Sequence, residues 1–306
     1  MNEDLTYILP PVDKALIKRE LTRDKFVRNT NKLDNEIYIV NHHNAPHTIQ
    51  EIGRLRELTF ASAGGGTGKP VDLDDYDTAS IPYEQLIVFS PEDQEIIGGY
   101  RFMNCSKIVK SGDIKLSTLH YFNFSDQFIS NYLPFTVELG RSWIQPKFQP
   151  TNSRKGLFSL DNLWDGLGAI VVENPMIRYF FGKVTMYSNY NTDAKSKILS
   201  FMHYYFPDNE KLVTPIQPLN IDTKNESILT EINGLPFNEG YKILQKETRA
   251  LDAKIPPLIN NYMGLSATMK TFGTAINNDF GAVDETAILV TINDIYHEKK
   301  ERHLDY

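Results

Sequence analysis

Cysteine is almost missing from this 306-residue sequence: Cys105 is the only one. A single thiol excludes an internal disulfide framework and fits a reducing compartment. Long apolar runs are missing as well. None approaches the ~20 residues needed to span a bilayer, and the N-terminus MNEDLTYILPP lacks the layout of a signal peptide. Positive charge is in deficit, with 32 Lys and Arg against 39 Asp and Glu and a formal net charge of −7. That balance argues against nucleic acid as a partner. Any binding of anions must therefore rest on local cationic clusters. Together these absences point to a soluble, cytoplasmic globular protein, with peripheral contact at the inner face of a membrane left open.

What is present suits a large core: 41% apolar residues, with 17 Phe and 16 Tyr. Residues 135–172 most resemble a site. An apolar run of buried-strand character carries Glu138 and Arg141, and a turn-rich basic segment follows with Lys147, Arg154, Lys155 and Gly156. Then Leu160, Leu163, Trp164, Leu167, Ile170 and Val171 recur at helical spacing. Strand, cationic turn and helix start together can hold an anion, because the first helical N–H groups lack partners and the dipole is positive there.

The rest of the chain reads as one mixed α/β domain over residues 1–306. Residues 1–47 form an N-terminal extension and 207–255 an insertion. A strand is expected at 36–40. His42 and His43 lie in a Pro/Asn-rich connection with no spaced partners, so loop is the better reading than metal. Thr48 and Glu51 have capping-box spacing and predict a helix that runs on through Phe60 and carries Arg54 and Arg56. The glycine run at 64–68 before Lys69 lacks the Walker spacing, and a flexible connection that lets backbone approach a ligand is favoured. Asp72, Asp74, Asp75 and Asp77 do not match a calcium loop and read as a solvated cluster. A hairpin is expected from 84–90 and 96–104, and strands at 179–190, 267–275 and 286–292. Helices are expected from about 193 to 205, 239 to 251 and 255 to 265. The aromatic run 119–134 is core or the wall of an apolar ligand site, and the tail HEKKERHLDY is a solvated charge run.

Several stretches carry a family resemblance. They are IGRLRELTF at 52–60, GTG at 66–68, DLDDYD at 72–77, VELGRS at 137–142, LWDGLG at 163–168, RYFFG at 178–182, LSA at 265–267 and DFG at 279–281. Spread over roughly residues 50–290, they resemble the GNAT-fold N-acyltransferases of the branch that makes ornithine and glycine lipids. That branch is sometimes called haemolysin-like, and acyl-homoserine-lactone synthases are its distant relatives. The resemblance implies a mixed central sheet flanked by helices. It also implies transfer of a long-chain fatty acyl group from acyl carrier protein or acyl-CoA to an amino acid, in amino-acid lipid biosynthesis. Glycine is the first choice of acceptor and ornithine the second. An acetyl-CoA-dependent acetyltransferase and a non-catalytic acyl-carrier or lipid-binding module are the competing readings. No permanently bound cofactor and no metal are implied. The segment QPTNSRKG at 149–156 is poorer in glycine and arginine than the family's usual phosphate loop.

Such a reaction needs a neutral amine held beside a thioester carbonyl. Glu138 is the candidate base or amine anchor, with an ion pair to Arg54 or Arg56 as the structural alternative. Arg56 or Arg141 suits an acceptor carboxylate. Tyr187, or Tyr190 beside it, is the candidate donor of a proton to the leaving thiolate. Lys147, Arg154, Lys155, Gly156 and Arg178 are the candidate acyl-donor residues, facing a phosphate or an acidic carrier protein. On a regular strand Glu138 and Arg141 would sit on opposite faces, so a bulge between them is expected if both serve one site.

Overall fold

In the computed structural model, residues 5–152, 154–219 and 224–304 are described. In chain order the elements begin with helix α1 (Lys14–Glu20), strands β1 (Phe26–Asn29) and β2 (Glu36–Val40), and helices α2 (Pro46–Ser62) and α3 (Asp75–Thr78). Then come β3 (Glu84–Ser90), β4 (Glu95–Asn104), α4 (Cys105–Ser111), β5 (Phe122–Phe124), β6 (Thr136–Ile144), α5 (Ser159–Glu173) and β7 (Tyr179–Met186). The last part holds α6 (Thr192–Tyr205), β8 (Val213–Pro215), α7 (Glu226–Ile232), α8 (Phe237–Ala250), α9 (Pro257–Met263), β9 (Lys270–Asn277), β10 (Val283–Thr291) and α10 (His297–His303). This is the α/β class expected from the sequence, with the strands at 36–40 and 84–90 on their expected residues.

The chain divides into two compact units. The first comprises residues 1–116, 135–178 and 297–306, and the second 117–134 and 179–296. In the first unit β1, β2, β3, β4 and β6 form antiparallel ladders in that order. In the second, β10 pairs antiparallel with both β7 and β9, and β5 pairs with β8.

Helix α2 begins earlier than its capping-box spacing suggested. Pro46 occupies its first turn and Ala45 supplies no side-chain cap. Proline suits that position because its missing N–H would be unpaired anyway. The capping acceptor comes from Glu20 at the end of α1. Its carboxylate accepts from the His47 N–H (3.0 Å), the Thr48 N–H (2.8 Å) and the Thr48 hydroxyl (2.8 Å). Thr48 thus donates its side chain instead of capping with it, and Glu51 turns to Arg54 (2.6 and 2.8 Å).

Helix α5 and the α2 side use opposite faces of the first unit's sheet. A Cβ on Gly166 of α5 would lie 2.6 Å from the Leu86 side chain, so α5 packs on the face of Leu86. Gln85, its neighbour in β3, points the other way and bonds Asp77, on the side where Arg56 of α2 is held. The C-terminal charge run is not simply solvated. It forms α10, and His303 is buried with Nδ1 2.8 Å from Asp165 Oδ1 of α5. The same carboxylate accepts from the Asn31 N–H (2.8 Å) and Asn31 Nδ2 (2.9 Å).

In the second unit the aromatic run supplies core. Phe122 and Phe128 are fully buried. Phe128 lies 4.9 Å from Phe124 and 5.2 Å from Phe181, and Phe181 6.1 Å from Phe272, as ring centroids. No helix among the described residues is long and apolar enough to cross a membrane.

Gly168 is where α10 docks, since a Cβ there would meet the His303 carbonyl oxygen at 2.0 Å. Gly168→Ala is therefore expected to destabilise the protein by about 1–3 kcal/mol through overpacking. Urea denaturation reads the loss, and hydrogen exchange should show α10 opening first. An unchanged midpoint with α10 still protected would contradict this.

Candidate active site

The site in the first unit is organised by an irregularity in β6. Strands β4 and β6 run in register from Asn104↔Val137 to Arg101↔Gly140, then resume at Gly99↔Trp143. Arg141 and Ser142 therefore face Tyr100 alone, and Arg141 takes φ +46°, in the left-handed region. This is a β-bulge: one extra residue bends the strand and re-aims its side chains. The bulge expected from the alternation of Glu138 and Arg141 is present.

Arg141 Nε donates to Asp72 Oδ2 at 2.8 Å, and Arg56 Nε reaches the same oxygen at 3.0 Å. Arg56 also spans the Asp77 carboxylate, with Nη1 3.2 Å from Oδ1 and Nη2 3.4 Å from Oδ2. Arg101 Nη1 donates to both oxygens of Asp74 at 2.7 Å and to Asp77 Oδ2 at 3.2 Å. Gln85 Nε2 adds a bond to Asp77 Oδ1 at 2.8 Å. The acidic cluster expected to be solvated is therefore half buried: Asp72 and Asp77 are each 1% exposed, and only part of Asp74 meets solvent. Asp74 and Asp77 also form the capping box that opens α3. Asp72 and Asp77 fold inward because arginines from α2, β4 and β6 need counter-charges.

Burial alone would raise the carboxyl groups of Asp72 and Asp77 and depress the guanidinium of Arg56. The ion pairs win. Arg141 and then Arg56 hold Asp72 below the ordinary carboxylate range, and Arg56 with Arg101 does the same for Asp77. Arg56 and Arg101 are held above their usual range by these aspartates. The arginines differ in access. The Arg56 side chain is 0% exposed, that of Arg101 2% and that of Arg141 16%, so Arg141 is the cation of the three that a solute can approach.

Glu138, 1% exposed, is not held by Arg54 or Arg56, which go to Glu51 and to the aspartates. Its Oε2 accepts a short hydrogen bond from the hydroxyl of Tyr83. Tyr76 and Cys105 also feel this carboxylate. Burial, then the charge of Glu138, raises the Tyr76 phenol and pushes the Cys105 thiol well up. Cys105 is buried and donates weakly to the Met103 carbonyl (3.6 Å), the environment of an inert thiol.

The other expected residues are placed as follows. Lys147 pairs with Glu95 (3.1 Å), and Lys155 with Glu92 (2.8 Å) and Asp93 (3.1 Å). The basic turn is thus largely neutralised by the acidic β3–β4 turn. Gly156 packs on backbone, its hypothetical Cβ 2.5 Å from the Gln149 carbonyl oxygen, and Ser159 at the start of α5 bonds the Phe148 carbonyl (3.0 Å). Arg154 and Arg178 are exposed, and the Arg178 guanidinium lies 4.5 Å from the Phe135 ring centroid. Tyr187 follows β7 in the second unit, where burial raises its phenol; burial raises that of Tyr190 also, and the Tyr190 hydroxyl bonds the Lys254 carbonyl (2.9 Å).

The glycine run does not present its amides to a ligand. The N–H groups of Thr67 (2.9 Å) and Gly68 (2.8 Å) donate to Glu57, which also accepts from the Thr67 and Tyr7 hydroxyls. The rings of His42 and His43 lie 3.8 Å apart within their turn, tilted by 42°. Sequence reasoning missed Tyr83 and Arg101. Arg101 did leave a signal, a lone charge in the apolar run IIGGYRFM.

Residues 55–159, which hold this network, match the Acetyltransferase (GNAT) domain model. The matched stretch is thus of the GNAT acyltransferase class. Two relatives extend the likeness over the whole chain, both named glycine N(alpha)-acyltransferase. The protein from Bacteroides thetaiotaomicron is 51% identical over 97% of this chain and 89% of its own length. That from Phocaeicola vulgatus is 48% identical over 97% of this chain and 92% of its own. The chain belongs to the family of these glycine N(alpha)-acyltransferases. Among solved structures, a CoA-dependent acyl-homoserine lactone synthase overlaps 49% of this chain and 67% of its own, at 13% identity and a TM-score of 0.33.

Two outcomes follow from the buried charges. Asp72→Asn leaves Arg56 and Arg141 without a shared counter-ion and is expected to cost about 3–5 kcal/mol, read by chemical denaturation. Because Asp72 and Asp77 are depressed in the folded state, their stabilisation is complete above about pH 4 and fades as the pH falls through their lowered values. The acid-unfolding midpoint should therefore lie below about pH 4 and rise in Asp72→Asn. Cys105 should resist a thiol reagent in native protein and react after unfolding; rapid native labelling would contradict its placement.

Proposed function

We propose that the protein transfers a long-chain fatty acyl group from a thioester, acyl carrier protein or acyl-CoA, to the amino group of glycine. The product is an N-acyl amino acid of the kind used in amino-acid lipid biosynthesis. The observation that carries this reading is the near-full-length match to proteins named glycine N(alpha)-acyltransferase. The site supplies groups suited to the chemistry. Glu138 takes a proton from the glycine ammonium, directly or through water, so that the nitrogen lone pair can attack the thioester carbonyl. The C–N bond forms as the C–S bond breaks, and the departing sulfur takes the second proton that the nitrogen loses and leaves as a thiol. Arg141, the most accessible cation of the network, receives the glycine carboxylate through a planar two-pronged donor. Arg56, fully buried, acts behind it by holding Asp72. On the donor side Arg154 and Arg178 offer exposed positive charge to a phosphate or an acidic carrier, while Lys147 and Lys155 are shared with carboxylates.

Incubation with palmitoyl-carrier protein, palmitoyl-CoA and acetyl-CoA, each against glycine, ornithine and other amino acids, tests the reading by thiol release and mass spectrometry of products. N-palmitoylglycine from a long-chain donor is expected, and absence of any acylated amino acid would overturn it. Glu138→Gln should lower kcat by about a hundredfold or more. Arg141→Ala should act mainly on the glycine KM, raising it about tenfold.

A further inference from the structure

Tyr83 has the geometry of a part of the reaction machinery. It stands where the chain enters β3, its backbone N–H fixed to the Tyr76 carbonyl at 2.9 Å, and it is 1% exposed. Tyr76 and Arg101 are among the groups that hold its ring. Tyr76 meets it edge-on, centroids 5.5 Å apart at 76°, and the Arg101 guanidinium lies 5.0 Å from its centroid. Arg101 is itself locked by Asp74 and Asp77. A tyrosine has two side-chain torsions, so a clamped ring gives a hydroxyl of fixed position. That hydroxyl donates to Glu138 Oε2. Glu138 has three torsions of its own, and a bond from a fixed donor selects among them. The buried ionic network thus reaches Glu138 through one phenol, along Asp74 and Asp77, Arg101, Tyr83 and Glu138.

We propose that Tyr83 is a positioning residue for Glu138, its clamped hydroxyl holding the carboxylate in the orientation from which it takes the acceptor's proton. The proposal rests on the reading of Glu138 as the base. A purely structural tyrosine would need only its ring, since the space between Tyr76 and Arg101 is filled as well by phenylalanine. What phenylalanine cannot supply is the donor to a buried carboxylate.

Tyr83→Phe tests the hydroxyl with the ring kept. The expected result is a fall in kcat of about ten- to a hundredfold, the penalty of a misplaced catalytic group. The glycine KM should stay within about twofold and the melting temperature within a few degrees. Incorporating 3-fluorotyrosine at position 83, which restores ring and hydroxyl, should bring kcat back. An unchanged kcat in Tyr83→Phe, or a loss confined to KM, overturns the proposal, as does failure of 3-fluorotyrosine to restore turnover. A measurement independent of turnover separates this from the fate of the proposed reaction. The infrared carboxylate band of Glu138, isolated by subtracting the spectrum of Glu138→Gln, should shift when 3-fluorotyrosine replaces Tyr83 and also in Tyr83→Phe. A band that stays put in both overturns the Tyr83 assignment. Full turnover by Glu138→Gln would instead remove Glu138 as base, and the assignment of Tyr83 as its positioning residue would fall with it, whatever the band does.

Discussion

Three arginines gathered around Asp72 and Asp77, two of them sealed from solvent, impose the constraint on which the first unit depends. Taking a guanidinium out of water is costly, and attraction repays it only where geometry is good and the remaining donors are satisfied. Here attraction is gained by sharing: Asp72 Oδ2 serves Arg56 and Arg141, and Asp77 serves Arg56, Arg101 and Gln85, while Arg101 Nε and Asp72 Oδ1 stay buried without a hydrogen-bond partner among the described residues. The arginines come from α2, β4 and β6 and the aspartates from the 72–77 stretch, so the network is complete only when all four are in place. Removing a charged member leaves its partners short of counter-charge. The network is a specifying feature first, in that wrong arrangements of these elements strand a charge.

The bulge in β6 follows from the same constraint. A regular strand alternates its side chains, and would put Arg141 on the face away from Glu138. One extra residue opposite Tyr100, with Arg141 at positive φ, turns the guanidinium toward Asp72 while Glu138 keeps its place beside Tyr83. A non-glycine residue in the left-handed region is strained. The bond to buried Asp72 is the compensation visible in the structure. Access then grades the three cations, with Arg56 sealed, Arg101 sealed and clasped over Tyr83, and Arg141 facing outward enough to meet a solute.

Elsewhere the chain answers many of its charges internally. The basic turn at 147–155 is met by Glu92, Asp93 and Glu95 from the β3–β4 turn, and the glycine run wraps its amides around Glu57. Both stretches look like anion-binding sequences when read alone. Both are partly or wholly consumed by carboxylates distant in sequence, as an excess of acid over base in the composition makes easy.

Much of the fold was legible. The buried strands at 36–40 and 84–90, the amphipathic helix after the basic turn and the hairpin of β3 and β4 follow from local periodicity and turn chemistry, which depend on near neighbours. The pairing rule for strands even located the bulge, since Glu138 and Arg141 could serve one site only if the alternation broke between them. The start of α2 departs from its capping-box spacing because its capping acceptor, Glu20, belongs to another helix, and the C-terminal run hides its docking in sequence because its partner Asp165 lies far back in the chain. The residues themselves thus determined the class and much of the element order. Only the tertiary structure decided that Asp72 and Asp77 are buried counter-ions, that Glu57 fills the glycine loop, and that Tyr83 holds Glu138. The reason is physical: an ion pair or a buried hydrogen bond is set by proximity in space, and a sequence displays the charges without displaying which of them desolvation will force together.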